Sequence, residues 1–335
     1  MTPTGGITGF DFTPLSADVK IEDFSPEEIK AQGFDYPKPD LYKKLKVAAA
    51  VTVALFLAAF VLTVIGASAG SRISILPAVS FAYMLPLFCI VGLVFYIIVW
   101  SRFPSKVQLR WMLFAKRNGL TYHNPKAIDS NLENLNTASR INALRSFVRG
   151  FGIDGVFFKR GVNSFDSFVD LNDRTTCFEH CKTVSHGKNS TSYYFNVVRY
   201  DLGRPVPNIL LDGQKNINPM EGERYDAQAM HLEGDFNKHF KVFAPEGYHI
   251  DTLQILSPDV MADLVDHAAK YDIELVDHYV YIAAMREFDQ TNYGAFVQDF
   301  FVRASEVIKE LGEQVDAYTD RHDPAGLNQR LKLKT

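Results

Sequence analysis

The chain has 335 residues, 47% hydrophobic and 22% charged, with a formal charge of −4 and three cysteines. The length allows one or two domains, and the small net charge excludes a general electrostatic pull toward nucleic acid. Three cysteines, with Cys89 inside an apolar run, exclude a disulfide framework and suit a reducing compartment.

Residues 1–42 are polar and rich in Pro, Gly and Asp, and read as a flexible tail. Within it, "SPEE" at Ser25–Glu28 has the form of a capping box, with Pro26 at the first helical position. The spacing predicts a short helix through Gln32.

Residues 43–102 predict a transmembrane hairpin. The runs 47–69 and 73–100 carry no charge, and each is long enough for a bilayer core of about 20 residues. Only Gly70, Ser71 and Arg72 separate them. Pro86 predicts a kink in the second helix, and Tyr96 and Trp100 suit the interface at its end. Lys43, Lys44 and Lys46 precede the pair, and Arg102, Lys106 and Arg110 follow it. The positive-inside rule then places both termini in the cytoplasm, across a bacterial cytoplasmic membrane. Neither run holds an acid or a base, which favours anchoring over a pump.

Residues 103–288 predict a cytoplasmic α+β domain, mainly antiparallel β with flanking helices. Residues 104–118 predict a helix with Val107, Trp111 and Phe114 on one stripe and Gly119 as its stop. It can rest on headgroups or pack on the domain. "GIDGVFFKRG" reads as a strand. "TTCFEHCKTV" and "TSYYFNVVRYDL" read as a hairpin whose "SHGKNS" loop is longer than the tightest class, and "VPNILLDGQ" as a further apolar run. "KVFAP" and "TLQIL" are expected strands. Ser257, Pro258 and Asp259 start a helix, and "DIELVDHYVYIA" is expected to turn at Asp277-His278, giving β-β-α-β-β. Residues 289–318 predict an amphipathic helix covering the sheet, with Asp299 and Arg303 paired on its polar side. Residues 319–335 read as a tail.

Two stretches could carry chemistry. Cys177, His180 and Cys181, with His186 beyond, are zinc-ligand types, but on a strand the two cysteines share one face while His180 takes the other, so no metal or cofactor is expected. In "LEGDFNKHF", Asp235 and His239 lie four apart, so an acid could orient a general base, with Glu233 as a second acid. The structural reading explains more of it. Gly234 turns the chain, Asp235 caps a single helical turn, and Phe236 and Phe240 anchor the corner.

The elements Glu233–Phe236, Phe240–Pro245 and Ile255–Met261, together with the hairpin before them, resemble a family of uncharacterised bacterial membrane proteins. The resemblance implies a bacterial membrane location and a module without an established activity, and brings no catalytic residues with it. The expected function is a membrane-anchored cytoplasmic binding or scaffold module. Its partners are the lipid bilayer and a protein partner or second copy, and nucleic acid is not one. The alternatives are a membrane-tethered, hydrolase-like enzyme using Asp235 and His239, and an oligomeric channel or sensor.

Overall fold

The computed structural model describes residues 7–36, 103–124, 162–187, 189–215, 225–286, 292–318 and 332–333. The chain divides into two compact units, Ile21–Ser105 and the remainder, Met1–Lys20 with Lys106–Thr335.

In the smaller unit the described helix is α2 (Pro26–Ala31). The Ser25 side chain accepts from the Glu28 amide and the Glu28 carboxylate accepts from the Ser25 amide, so the expected capping box is present in full.

The larger unit is a mostly antiparallel eight-stranded sheet with a few helices. Its elements are α1 (Thr13–Ser16), α3 (Lys106–Asn118), β1 (Thr121–His123), β2 (Val162–Asn172), β3 (Thr175–His186), β4 (Asn189–Gly213), β5 (Tyr225–Met230), β6 (Phe240–Pro245), α4 (His249–Ile255), α5 (Pro258–Ala268), β7 (Asp272–Met285), α6 (Tyr293–Ala317) and β8 (Lys332–Leu333). Strand β4 is central. One of its edges is shared in turn by β3, up to Tyr200, and by β6, from Leu210; the other edge pairs with β7. Between these stretches the chain bends at Gly203, whose φ of +76° suits glycine and whose amide donates to the Asp201 side chain.

This architecture corrects the expected membrane-anchored fold. The α+β character holds, but no transmembrane hairpin is shown. Among the described residues no helix is long and apolar enough to cross a membrane. The longest, α6, spans 25 residues but is amphipathic, with Asp299, Arg303, Lys309 and Glu310 in ion pairs on its outer side. The expected multi-pass location in a bacterial cytoplasmic membrane loses its structural basis with the hairpin. The runs 47–69 and 73–100 lie outside the described residues, as do residues 152–161, the expected "GIDGVFFKRG" strand.

Helix α6 packs on β4 and β7, and α3 on β1 and β2. Phe300, Phe301, Ala304 and Leu311 of α6, with Trp111 and Phe114 of α3, are fully buried. Of the two settings open to α3, packing on the domain is the one observed. The opposite face of the sheet carries a second buried cluster of Phe168, Phe178, Phe195, Val197 and Tyr281. At the end of α6, Arg204 Nη1 donates to the carbonyls of Val315, Asp316 and Tyr318 at 3.2, 2.8 and 2.9 Å. That adds donors at the C-terminal carbonyls, beside the Tyr318 amide already bonded to Val315, and places a cation at the negative end of the helix dipole.

Four local expectations differ from the structure. The β3–β4 hairpin pairs through His186↔Asn189, leaving two positions in its turn, with Gly187 at φ +70°. "TLQIL" is in α4, because Thr252 and Ile255 are buried while Ile250 and Leu253 face outward, a helical period. β7 continues as a strand through Asp277, at φ +55°, where a turn was expected, and the register shifts on either side of it fall where β4 carries the extra residues. The N-terminal stretch is in part a packed element. Phe12 and Leu15 are buried, and Phe12 lies 5.5 Å from both Phe114 and Phe301.

Candidate functional site

Strand alternation brings Glu179 of β3 and Asn196 of β4 side by side in register on the helix-covered face. Arg286 follows the end of β7, Tyr293 is the first residue of α6, and Trp111 projects from α3. These five side chains form one network. The Tyr293 hydroxyl accepts from Asn196 Nδ2 (2.9 Å) and Trp111 Nε1 (3.2 Å), and donates its single proton to Glu179 Oε1 (3.0 Å). Arg286 Nη1 donates to the same carboxylate oxygen at 3.0 Å. The Arg286 guanidinium lies over the Tyr194 ring at 5.2 Å and the Tyr293 ring at 5.5 Å. Around the corner Gln108 donates to Asp166 at 2.6 Å.

Burial pushes the Glu179 carboxyl up to about 7. The Asp166 charge acts in the same direction, and Arg286, Tyr293 and Trp111 act against it. Burial, together with the Glu179 charge, pushes the Tyr293 phenol well up, so it stays a donor. The same two causes push the Cys177 thiol well up, so it does not form a nucleophilic thiolate. The site therefore holds a carboxyl that changes charge near neutrality, beside a permanent cation and a neutral phenol.

A second polar chain crosses the sheet. His123 Nε2 lies 2.7 Å from Asp170 Oδ2, Thr176 Oγ1 donates to Asp170 Oδ1 at 3.0 Å, and Arg199 Nη2 donates to Thr176 at 3.0 Å. Burial pulls the Asp170 carboxyl upward, but its bonds to His123 and Thr176 and the charges of His123 and Arg199 outweigh it and leave it lowered.

The residues singled out from sequence are arranged differently. Asp235 and His239 do approach, but at 4.0 Å, and the Asp235 side chain is 65% exposed. Asp235 makes no side-chain cap on the following 3-10 turn, Phe236–Lys238. The corner is held by Asn237, whose side chain accepts from the Leu232 amide (3.1 Å) and donates to the Leu232 carbonyl (2.5 Å). Gly234 takes φ +67°, and the buried Phe236 and Phe240 rings stack at 5.0 Å. Glu233 and Lys238 are exposed. Cys177 is buried and Cys181 half-buried on the Glu179 face. His180 lies on the other, between Phe165 at 5.0 Å and Phe195 at 5.8 Å. Burial, and secondly the Lys182 charge, lower His180 to about 3. Among the described residues no group of three His, Cys, Asp or Glu side chains could hold a metal ion.

Sequence reading missed both polar networks. Their members come from elements far apart in the chain, and no local spacing marks them. The signal within reach was the alternation of β3, which sets Glu179 on the face of the two cysteines. Comparison with protein-family models, curated proteins and solved structures finds no match to this chain.

Proposed function

We propose that the larger unit is a binding module and that it recognises a protein partner through the projecting end of the β3–β4 hairpin. One observation supports this reading. The two strands stay in regular register to His186↔Asn189, while among the described residues β2 pairs with β3 up to Thr183 and β7 with β4 from Phe195, with one further backbone bond from the Arg286 amide to the Tyr194 carbonyl. Ser185, Gly187 and Asn189–Ser192 are exposed, so this arm adds little to the core. A hairpin end whose tip residues are exposed is weakly stabilising by itself. Asn189–Ser192 carry amide and hydroxyl side chains leading to Tyr193 and Tyr194, with Thr183 and Ser192 hydrogen-bonded across the strands at 2.8 Å. Tyr, Ser, Asn and Gly offer adaptable hydrogen bonding and rigid contact area, the composition of protein-recognition loops.

The test is co-purification of the full-length chain with and without a Ser190→Lys/Thr191→Glu double substitution. A stoichiometric partner that binds the native chain and not the variant, with thermal stability unchanged, supports the reading. Equal capture by both chains counts against it. The enzymatic alternative rests on the Asp235–His239 approach. It predicts an activity lost in His239→Ala and retained in the arm variant.

A further inference from the structure

Arg286, at the root of the hairpin arm, is held more firmly than its place at a strand end requires. Its guanidinium lies near two tyrosine rings, its Nη1 donates to Glu179, and its backbone amide donates to the Tyr194 carbonyl at 2.7 Å. Only part of the donor fork is engaged. Among the described residues Nε and Nη2 have no hydrogen-bond partner, and neither is a buried atom, so solvent reaches them. The side chain is 17% exposed and the neighbouring Tyr194 is 39% exposed. A guanidinium fixed in orientation, with an unengaged Nε/Nη2 edge beside the partly exposed Tyr194 side chain, is pre-organised for a bidentate carboxylate.

We infer that Arg286 and Tyr194 form a binding site for a small organic monocarboxylate, whose carboxylate takes the open Nε/Nη2 edge and whose flat apolar body lies on the Tyr194 ring. The surrounding charge selects a monoanion. Glu179 shares the guanidinium and Asp166 lies close enough to raise it, so a dianion such as phosphate meets two like charges with one cation between them.

Binding is coupled to a proton. A second carboxylate on the same guanidinium favours the protonated form of Glu179, which already titrates at about 7. The groups facing Glu179 are Arg286 beyond β7, Asp166 on β2, Asn196 on β4, Tyr122 on β1, Trp111 on α3, Tyr293 on α6 and Cys177 on its own strand. Burial pushes Tyr122, Tyr293 and Cys177 well above their ordinary values, so none exchanges a proton near neutrality. Asp166 is the only acid among them besides Glu179, and the Gln108 amide donates to it.

The experiment is calorimetric titration of the full-length chain with benzoate, one pH unit below and one above 7, in buffers of different ionisation enthalpy. The expected result is millimolar or tighter binding, about tenfold tighter at the lower pH, with about one proton taken up per benzoate at the higher pH. Glu179→Gln is expected to bind equally at both pH values, and Arg286→Met not to bind. Benzoate binding without proton uptake overturns the inference, as do binding that survives in Arg286→Met, preference for inorganic phosphate, and no binding at either pH. If Arg286→Met does not fold, the proton count on the native chain decides. Capture of a protein partner is a separate readout, so this inference and the arm's role can fail independently.

Discussion

The Tyr293 hydroxyl donates to Glu179 Oε1 across 3.0 Å, joining the first residue of the long helix to the third strand of the sheet. The same oxygen atom of Tyr293 is the acceptor for Trp111 and Asn196, so one buried phenol ties together the helix that precedes β1 and the helix that follows β7. Tyr293→Phe keeps the ring and removes this junction. It leaves Asn196, Trp111 and Glu179 each one partner short, and an unsatisfied buried group costs about 1–3 kcal/mol. Urea denaturation is expected to show a loss of that order with an unchanged m-value.

The raised Glu179 value makes stability depend on pH with a definite sign. The folded state binds the proton more tightly than the unfolded chain, from an ordinary value of 4.5 to about 7. The favourable contribution is therefore full below 4.5 and is lost as pH rises to 7, where the slope ends. The shift corresponds to an effect on the order of 3 kcal/mol. Chemical denaturation of the native chain and of Glu179→Gln across this window checks it. The native chain is expected to lose stability toward pH 7 relative to the variant, and parallel curves would contradict the assignment.

Removing the Arg286 charge breaks the ion pair from the other side. Both side chains are mostly buried, at 17% and 14% exposure, so Arg286→Met leaves a buried carboxyl without its cation. A loss of about 3 kcal/mol is expected near neutral pH. The double variant with Glu179→Gln is expected to recover part of it, because the charge left unpaired is then absent.

Gly294 is a steric prediction. A Cβ there would lie 2.7 Å from Ser16 Oγ and 2.8 Å from the Phe12 carbonyl oxygen, closer than such atoms approach. The Gly294 amide also donates to Ser16 Oγ at 2.8 Å. Gly294→Ala is expected to push α1 away from α6 and to destabilise by about 1–3 kcal/mol. Ser16→Ala is not expected to rescue it, since the backbone contact remains. Faster proteolysis of the N-terminal segment together with a lower melting temperature is the check.

The corner "LEGDFNKHF" separates two neighbouring polar residues. Asp235 makes no side-chain cap, and Asn237 bridges both backbone groups of Leu232. Asp235→Ala is expected to fall within about 0.5 kcal/mol of the native stability. Asn237→Ala is expected to cost about 1–2 kcal/mol. The reverse order in a thermal melt would restore Asp235 as the cap.

By itself the sequence determined what short-range rules govern. The Ser25 box, the Ser257-Pro258 helix start and the β3–β4 pair were legible because a cap, a proline or an alternation acts within a few residues. The stripe of α6 was legible because its period repeats over 25 residues. Where local signals conflict, tertiary packing decided. "TLQIL" has strand-forming residues yet winds into α4, since only a helical period buries both Thr252 and Ile255. Asp277 looks like a turn but stays within a strand, because β4 continues past it as a pairing partner and absorbs the register shifts on its own side. The two apolar runs promised a membrane hairpin, whereas the described fold is a sheet under amphipathic helices. The Glu179–Arg286–Tyr293 junction belongs wholly to the tertiary structure. Its residues lie far apart in the chain, on β3, just past β7 and at the start of α6, and burial, a property of the assembled fold, moves the Glu179 carboxyl to neutrality.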